Sequence, residues 1–171
     1  MTHLDHVLVL CTGNATRSVI AGAALRNHLE GVEVATAGTL SIDGRPMSWR
    51  TRAGFDAVGV AAPRHRSRQA SAAEVARAGL IIGLAPEHVA WVRRTSPEAA
   101  SRAVTLRRLA RDLAAADGRP VAERLAELAL DTVELEPWEE VADPGGADEE
   151  AFVACAREIV ALVDALAPRL R

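Results

Sequence analysis

Residues 7–18 read VLVLCTGNATRS, and this stretch determines the fold that we expect. Val7 to Leu10 form a short apolar run that is typical of a buried strand. The run breaks abruptly into Thr12-Gly13-Asn14, as a strand entering a tight loop does, and an alanine- and leucine-rich helix is predicted from Ser18 to Leu29. Val32 to Ala37 has the pattern of a second strand, so the chain opens with a β-α-β unit.

Strands and helices continue to alternate along the rest of the chain. The predicted elements are a helix over Met47–Val58, a short helix capped by Ser71 and Glu74, a strand over Leu80–Leu84, a helix from Pro86, a strand over Val104–Leu106, helical stretches up to Ala116 and from Pro120 to about Thr132, and a closing helix over Asp148–Leu166. This alternation predicts an α/β fold, a three-layer doubly wound sheet of four parallel strands with helices on both faces. We expect one domain over residues 1–171.

Composition excludes several classes of function. The net charge of −3 gives no basic field for nucleic acid, and the absence of lysine excludes a Walker lysine or a Schiff base. Two cysteines, Cys11 and Cys155, are too few for a disulfide framework or a cysteine zinc site, which favours a cytoplasmic protein. The apolar run Val7–Cys11 is too short for a signal peptide or a membrane span, so no membrane partner is expected.

The loop that follows the first strand has the residues of a phosphate cradle. Cys11 ends the strand and Arg17 follows six residues later, at the start of a helix. Amide groups of a tight loop can converge on one anion, and the helix N-terminus adds favourable partial charge. Arg17 offers a planar fork for two phosphate oxygens, and the same positive field favours the thiolate form of a cysteine. In such folds ligands bind where the strand order switches, which is where this loop is expected to lie.

These residues resemble one family, the low molecular weight protein tyrosine phosphatases, whose loop reads C-x-G-N-x-x-R-S directly after the first strand. Later segments are similar to the family's landmarks in the same order: Thr36-Ala37-Gly38-Thr39, Gly44-Arg45-Pro46 and Arg66-Ser67-Arg68-Gln69. Asp143-Pro144 matches the family's general-acid dipeptide just before the last helix. The resemblance covers most of the chain.

The resemblance implies a two-step hydrolysis of a phosphate monoester through a cysteinyl-phosphate, with no metal and no organic cofactor. Cys11 would attack phosphorus, Arg17 would hold the equatorial oxygens, and Asp143 would protonate the leaving oxygen and then activate water. Asn14 would hold the loop's shape, and Ser18 would orient or stabilise the thiolate. The implied phosphate-binding residues are Thr12, Gly13, Asn14, Ala15, Thr16, Arg17 and Ser18. The expected partner is a phosphorylated protein or a small-molecule phosphate ester, and the oligomeric state is left open.

The chain departs from the family pattern at the pocket walls, which are usually aromatic in the family. The corresponding stretches here are Leu40-Ser41-Ile42-Asp43 and Asp143-Pro144-Gly145-Gly146, and neither contains an aromatic residue. Trp49 or Trp138 is a candidate substitute, although packing is the more common role of a tryptophan in such settings. Two alternatives are therefore open: weaker binding of phosphotyrosine, or a different substrate, such as a sugar phosphate.

A second departure concerns redox protection of the nucleophile. Many members carry a second cysteine beside the loop arginine, and here that position is Thr16. Oxidised Cys11 would then have no resolving partner in its own loop, and Cys155 is expected to be a small buried residue of the last helix.

The remaining polar candidates are expected to lie on the surface. His3, His6, His28, His65 and His88 show no metal-ligand spacing, and a surface role is expected for each. The basic cluster Arg64-His65-Arg66-Arg68 and the acidic residues Glu134, Glu136, Glu139 and Glu140 are interpreted as solvated faces.

Two other functions remain as alternatives. One is arsenate reductase, which shares this fold and loop in some members; residues 83–94 contain no cysteine for an internal relay, so such an enzyme would use an external thiol. The other is a non-catalytic phosphate-binding module. The joint presence of Cys11, Arg17 and Asp143 disfavours the module, because binding alone needs neither a nucleophile nor an acid.

Overall fold

One parallel sheet of four strands forms the centre of the molecule. In the computed structural model, which describes residues 4–171, the strands are β1 (His6–Cys11), β2 (Glu33–Gly38), β3 (Leu80–Gly83) and β4 (Ala103–Thr105). Their order across the sheet is β2-β1-β3-β4, and all neighbours are parallel. The α/β fold with a four-stranded parallel sheet is confirmed.

Within residues 4–171, seven α-helices connect and cover the strands. They are α1 (Arg17–His28), α2 (Trp49–Val58), α3 (Ala72–Arg77), α4 (Pro86–Thr95), α5 (Leu106–Asp112), α6 (Val121–Ala126) and α7 (Glu149–Leu166). Short 3-10 helices occupy Pro97–Arg102, Pro137–Glu139 and Ala167–Arg169. No helix within residues 4–171 combines the length and the apolar character that crossing a membrane requires.

The sheet separates two hydrophobic layers because side chains alternate along each strand. Val7 and Val9 of β1 pack into the larger core with α1, α5 and α7. Leu8 and Leu10 point the other way, into a smaller core closed by α3 and α4. The helices therefore lie on both faces of the sheet, as the alternating sequence predicts.

The strand order places a switch point at the end of β1. From β1 the chain moves to β2 on one side, pairing Cys11 with Gly38, and then returns to β3 on the other side, pairing Leu10 with Gly83. The connections therefore diverge on either side of β1, and a crevice forms beyond its carboxyl end. The loop after Cys11 lies in that crevice.

The sequence overestimates the helices between β4 and α7. The stretch expected to reach Ala116 ends at Asp112, and the one expected to run from Pro120 to about Thr132 ends at Ala126. Gly118, with a φ of 87°, turns the chain before α6, and Ala129, with a φ of 48°, leaves the right-handed helical region after it. Alanine-rich composition hides such breaks because it favours helix at every position.

Candidate active site

Every carbonyl of the loop from Cys11 to Thr16 accepts a hydrogen bond from a residue outside the loop. The six acceptor contacts are Thr39 N to Cys11 O at 2.9 Å, Leu40 N to Thr12 O at 3.0 Å, Ser41 Oγ to Gly13 O at 2.9 Å, His65 Nε2 to Asn14 O at 2.7 Å, Thr51 Oγ1 to Ala15 O at 3.5 Å and Ile20 N to Thr16 O at 3.0 Å. Carbonyl oxygens repel an anion, whereas the amide N–H groups of a tight loop attract one. Because the carbonyls already have partners outside the loop, the arrangement favours an anion site.

Asn14 is the buried residue that fixes the loop's shape. Its φ of 51° lies in the left-handed region, which asparagine tolerates better than most residues. Its side-chain amide donates to Ser18 Oγ at 2.9 Å and Thr36 Oγ1 at 3.0 Å, and its Oδ1 accepts from Arg68 N at 3.1 Å. These bonds join the loop to α1, β2 and the segment before α3.

Gly38 lets the end of β2 approach this loop. A Cβ atom at that position would lie 2.5 Å from Thr12 O and 2.7 Å from Ser41 Cβ. Any side chain would therefore push the loop away from β2 and break the bonds that Thr39 and Leu40 donate to it.

Cys11 lies at the base of the loop with its thiol beside a hydroxyl. Cys11 Sγ is 3.0 Å from Ser18 Oγ, and both residues are buried. Because the Ser18 oxygen already accepts from Asn14, its own proton is free for the sulfur. Ser18 is therefore placed to donate to the sulfur of Cys11 at the base of the loop.

Arg17 connects the loop to the segment before α7. Its guanidinium is 3% exposed and donates to Val141 O at 3.0 Å and to Asp143 Oδ2 at 3.1 Å. Val141 N in turn donates to Leu84 O at 2.8 Å, just beyond β3. Asp143 also accepts from Gly145 N at 2.9 Å and remains half exposed. The three residues that the sequence singles out, Cys11, Arg17 and Asp143, are thus brought to one crevice.

His88 is a residue of this crevice that the sequence analysis misplaces. It is fully buried, and its Nε2 lies 3.0 Å from Thr12 Oγ1. Thr12 Oγ1 donates its only proton to Glu87 Oε1 at 3.2 Å, so it accepts the Nε2 proton of His88. The Nδ1 atom of His88 is then unprotonated. This agrees with the absence of a hydrogen-bond partner for Nδ1 within residues 4–171. Burial, followed by the charge of Arg17, lowers the pKa of His88 to about 3 against an opposing effect of Asp143. His88 is therefore neutral near neutral pH and forms no ion pair with Glu87.

This buried neutral histidine predicts a pH dependence of stability. The unfolded chain takes up a proton on His88 as the pH falls below 6.5, whereas the folded chain does so only near pH 3. Stability from this group is complete above pH 6.5 and declines as the pH falls, by up to about 1.4 kcal/mol per pH unit. We expect His88→Gln to reduce the slope of the free energy of unfolding against pH, measured by urea denaturation from about pH 7 to about pH 4.5.

The control is Val75→Ala, since Val75 is a buried residue of α3 with no titratable group. It should lower the free energy of unfolding by a similar amount at every pH and keep the slope of the unmodified protein. Equal slopes for His88→Gln and the unmodified protein would contradict the account of His88.

Several surface assignments made from the sequence are corrected by the structure. His65 and His88 contact the loop, whereas His6 and His28 pair with surface carboxylates and His3 lies outside the described residues. Glu139 is fully buried. The position of His88 two residues after Pro86, at the carboxyl edge of β3, is the clue that would have identified it. No comparable clue marks His65.

The tryptophans differ in their relation to the crevice. Trp138 stacks on Arg111, with the guanidinium carbon 3.8 Å from the ring centroid, and its Nε1 donates to Glu136 Oε2 at 2.8 Å, so it packs against α5. Trp49 is 60% exposed at the start of α2. Two residues later, Thr51 Oγ1 lies 2.8 Å from Thr16 Oγ1 of the loop. Trp49 therefore remains a candidate wall, and Trp138 does not.

The other candidate groups are the basic cluster, Cys155 and any side chains that could bind a metal ion. Arg66 donates to Gly44 O at 2.7 Å, and Arg68 pairs with Glu74, so half of the basic cluster fastens the loop before α3. Cys155 is buried in α7, and burial raises the pKa of its thiol to about 12. No group of three histidine, cysteine, aspartate or glutamate side chains that could hold a metal ion occurs in the part of the chain that the structure describes.

Known proteins are similar to this chain in sequence and fold. A family model described as low molecular weight phosphotyrosine protein phosphatase matches residues 6–119. The protein-arginine-phosphatase of Geobacillus stearothermophilus is 28% identical over 166 residues, covering 96% of this chain and 95% of that protein. The low molecular weight protein-tyrosine-phosphatase Etp of Escherichia coli K12 is 33% identical over 94 residues, covering 55% of this chain and 64% of that protein.

Solved structures agree with these matches. The arginine phosphatase YwlE from Geobacillus stearothermophilus superposes with a TM-score of 0.76 at 26% identity, covering 97% of this chain and 92% of that one. The tyrosine phosphatase Wzb from Escherichia coli K30, in complex with sulphate, has the same fold, with a TM-score of 0.77 at 20% identity over 98% of this chain and 99% of that one. Because the family model covers more than half of the sequence, the chain belongs to the low molecular weight phosphotyrosine protein phosphatase family, a family of cysteine phosphatases that are phosphoric monoester hydrolases.

Proposed function

We propose that this protein hydrolyses phosphate monoesters through a cysteinyl-phosphate formed on Cys11. The observation that carries the proposal is the contact between Cys11 Sγ and Ser18 Oγ at a loop whose carbonyls from Cys11 to Thr16 are all bonded to residues outside it. A phosphoryl group held by the loop amides from Thr12 to Ser18 would present its phosphorus to that sulfur. This geometry suits in-line displacement.

The first step forms a bond between Cys11 Sγ and phosphorus and breaks the bond to the leaving oxygen. Arg17 would hold two equatorial oxygens with its planar fork and stabilise the charge that spreads over them. In the second step water attacks phosphorus, the sulfur leaves as a thiolate, and inorganic phosphate is released. A thiol nucleophile needs reducing conditions, which supports a cytoplasmic location.

Asp143 would supply the proton in the first step and accept one from water in the second. Without substrate its carboxylate accepts from Arg17. A bound phosphoryl group would draw the Arg17 donors to its own oxygens, which frees Asp143 for the leaving oxygen beside it. Its half-exposed position at the mouth suits an acid that must face the part of the substrate outside the loop.

The acid role predicts a dependence on the leaving group. A phenolate with a low pKa leaves without a proton, whereas a poor leaving group needs one in the transition state. We expect Asp143→Asn to lower kcat by about 10²-fold or more for phenyl phosphate. The first step should change little for 2,4-dinitrophenyl phosphate, measured as the initial release of the phenol. Asp148→Asn, an exposed aspartate that caps α7, is the control; equal losses in the first step for both substrates would contradict the acid role.

The side chains beside the loop determine which substrates the site favours. Leu40 and Ile42 are 79% and 61% exposed beside the loop, and the stretch after Asp143 has no aromatic side chain. Apart from Trp49, which remains a candidate wall, this rim is aliphatic, and it supports as substrate a phosphorylated protein side chain or a small-molecule phosphate that needs no stacked phenyl ring.

Phosphoarginine is a second candidate substrate. Glu87 and Asp143 place two exposed carboxylates at the mouth, joined through Thr12 and Arg17, and such carboxylates suit a guanidinium. A relative covering nearly the whole chain is named an arginine phosphatase.

A substrate panel tests the proposed function and ranks these substrates. Phosphotyrosine peptides, phosphoarginine peptides, sugar phosphates and p-nitrophenyl phosphate would be compared on the unmodified protein and on Cys11→Ser. We expect turnover of at least one class by the unmodified protein and none by Cys11→Ser. Equal phosphate release by both proteins would overturn the proposal, and coupled arsenate reduction without ester hydrolysis would replace it.

A further inference from the structure

Glu139 is a fully buried carboxylate just before the segment that carries Asp143. Its Oε1 accepts from Arg108 Nη2 at 2.6 Å and from the amide of Glu136 at 2.9 Å. Its Oε2 accepts from Thr105 Oγ1 at 2.6 Å. Both oxygens are thus satisfied although the side chain has no exposed surface, which makes Glu139 part of a built polar cluster.

The partners of Glu139 belong to the carboxyl edge of the sheet. Thr105 is the last residue of β4, and its Oγ1 accepts from Arg108 N at 3.2 Å as the N-cap of α5. Arg108, in the first turn of α5, is itself buried and donates to Glu134 O at 2.8 Å. The cluster therefore fastens the Glu134–Glu139 stretch to the junction of β4 and α5.

A second attachment follows two residues later. Val141 N donates to Leu84 O beyond β3, and Val141 O accepts from Arg17. Asp143 comes two residues after Val141 and is held by Arg17. From Glu139 to Asp143 the chain is only five residues long, so a shift at Glu139 passes directly to Asp143.

We propose that Glu139, held by Arg108 and Thr105, is a positioning residue that sets the place of Asp143 for the phosphatase reaction. It touches neither substrate nor the reacting atoms and acts through the segment that ends at Asp143. This inference rests on the proposed role of Asp143 as the acid.

The charge state of Glu139 suits this role. Burial alone would raise the pKa of its carboxyl, but the hydrogen bonds from Arg108 and Thr105 and the Glu136 amide outweigh burial and lower it. The contact with Arg108 is therefore a charge-assisted bond with fixed geometry. Desolvation offsets much of the attraction in a buried ion pair, so such a pair adds little to the free energy of unfolding. Its main contribution here is a defined arrangement of the two side chains.

The test uses Glu139→Gln, which keeps the shape but removes the charge, and Thr105→Val, which leaves the ion pair but removes the bond to Glu139 and the cap bond from Arg108 N. We expect kcat for phenyl phosphate to fall about 10-fold in Glu139→Gln and less in Thr105→Val. The initial release of phenol from 2,4-dinitrophenyl phosphate should change by less than about 2-fold. In an Asp143→Asn background, Glu139→Gln should lower the phenyl phosphate rate no further, because coupled residues are not additive.

Val75→Ala is the control for lost stability, since Val75 is a buried apolar residue of α3, a helix that contributes no residue to the cluster around Glu139. It should lower the Tm and leave the ratio of rates for the two substrates unchanged. The inference is overturned if Glu139→Gln behaves like Val75→Ala, or if its effect persists undiminished beside Asp143→Asn. If Glu139→Gln does not fold, Thr105→Val decides between these results on the same two criteria.

The outcome for Asp143→Asn alone separates this inference from the proposed function. The leaving-group effect is a larger loss of rate for phenyl phosphate than for 2,4-dinitrophenyl phosphate. If Asp143→Asn shows this effect and both Glu139→Gln and Thr105→Val lack it, the positioning role is overturned and the acid role stays intact. No leaving-group effect of Asp143→Asn would overturn the acid role and the positioning role together.

Discussion

Replacing Cys11 with alanine is expected to abolish turnover, lowering kcat by about 10⁴-fold or more for every phosphate ester tested. The variant retains the loop and Arg17 but has no atom that can form the bond to phosphorus. Inorganic phosphate should still bind, because the amides and Arg17 hold it and the sulfur does not. Steady-state rates together with phosphate binding by calorimetry would measure both expectations.

Cys155→Ala is the matched control for the loss of a buried thiol. Burial raises the pKa of Cys155 to about 12, so this group stays protonated at neutral pH and is a poor nucleophile. We expect its kcat to match that of the unmodified protein. Substantial turnover by Cys11→Ala, or loss of turnover in Cys155→Ala with the fold intact, would contradict the assignment of the nucleophile.

Arg17→Lys is expected to lower kcat/KM by about 10²-fold to 10³-fold although the positive charge is kept. The guanidinium now donates from separate nitrogens to Val141 O and Asp143 Oδ2. A lysine ammonium is a single point charge and cannot hold two equatorial oxygens in one plane. The inhibition constant for inorganic phosphate should rise as well, because the same fork binds the ground state.

A matched arginine outside the crevice separates this effect from general destabilisation. Arg102 donates from its guanidinium to Ala78 O at 2.7 Å and Ala76 O at 3.0 Å, near the end of α3. Arg102→Lys should lower the Tm and leave kcat/KM within about 2-fold of the unmodified value. A change in kcat/KM of similar size in both variants would show that Arg17 acts only through stability.

The sequence locates the loop because its chemistry is local. The apolar run before Cys11, the loop residues Gly13 and Asn14, and the helix that begins at Arg17 are contiguous, so their periodicity and turn preferences are visible in one window. Asp143 is distant in sequence and is identified only through its resemblance to the family's acid dipeptide. The structure brings it to 3.1 Å from Arg17.

The groups that the sequence analysis misplaces are polar residues whose partners are remote in the chain. His65 contacts Asn14 across 51 positions, and His88 contacts Thr12 across 76. Glu139 lies among other acidic residues and resembles a solvated face until Arg108 and Thr105 are seen beside it. Periodicity reports burial of apolar side chains and carries no information on a buried polar group that is satisfied by distant partners.

The central claim is that a phosphoryl group passes through Cys11, and trapping that species tests it most directly. Asp143→Asn would be mixed with 2,4-dinitrophenyl phosphate, quenched rapidly and digested for mass spectrometry. Because the good leaving group needs no acid and water then lacks its base, the intermediate should accumulate. We predict one phosphoryl group per chain, on the peptide that contains Cys11, with an equal initial release of the phenol. Continued release of the phenol with no phosphoryl group on Cys11 would contradict the account.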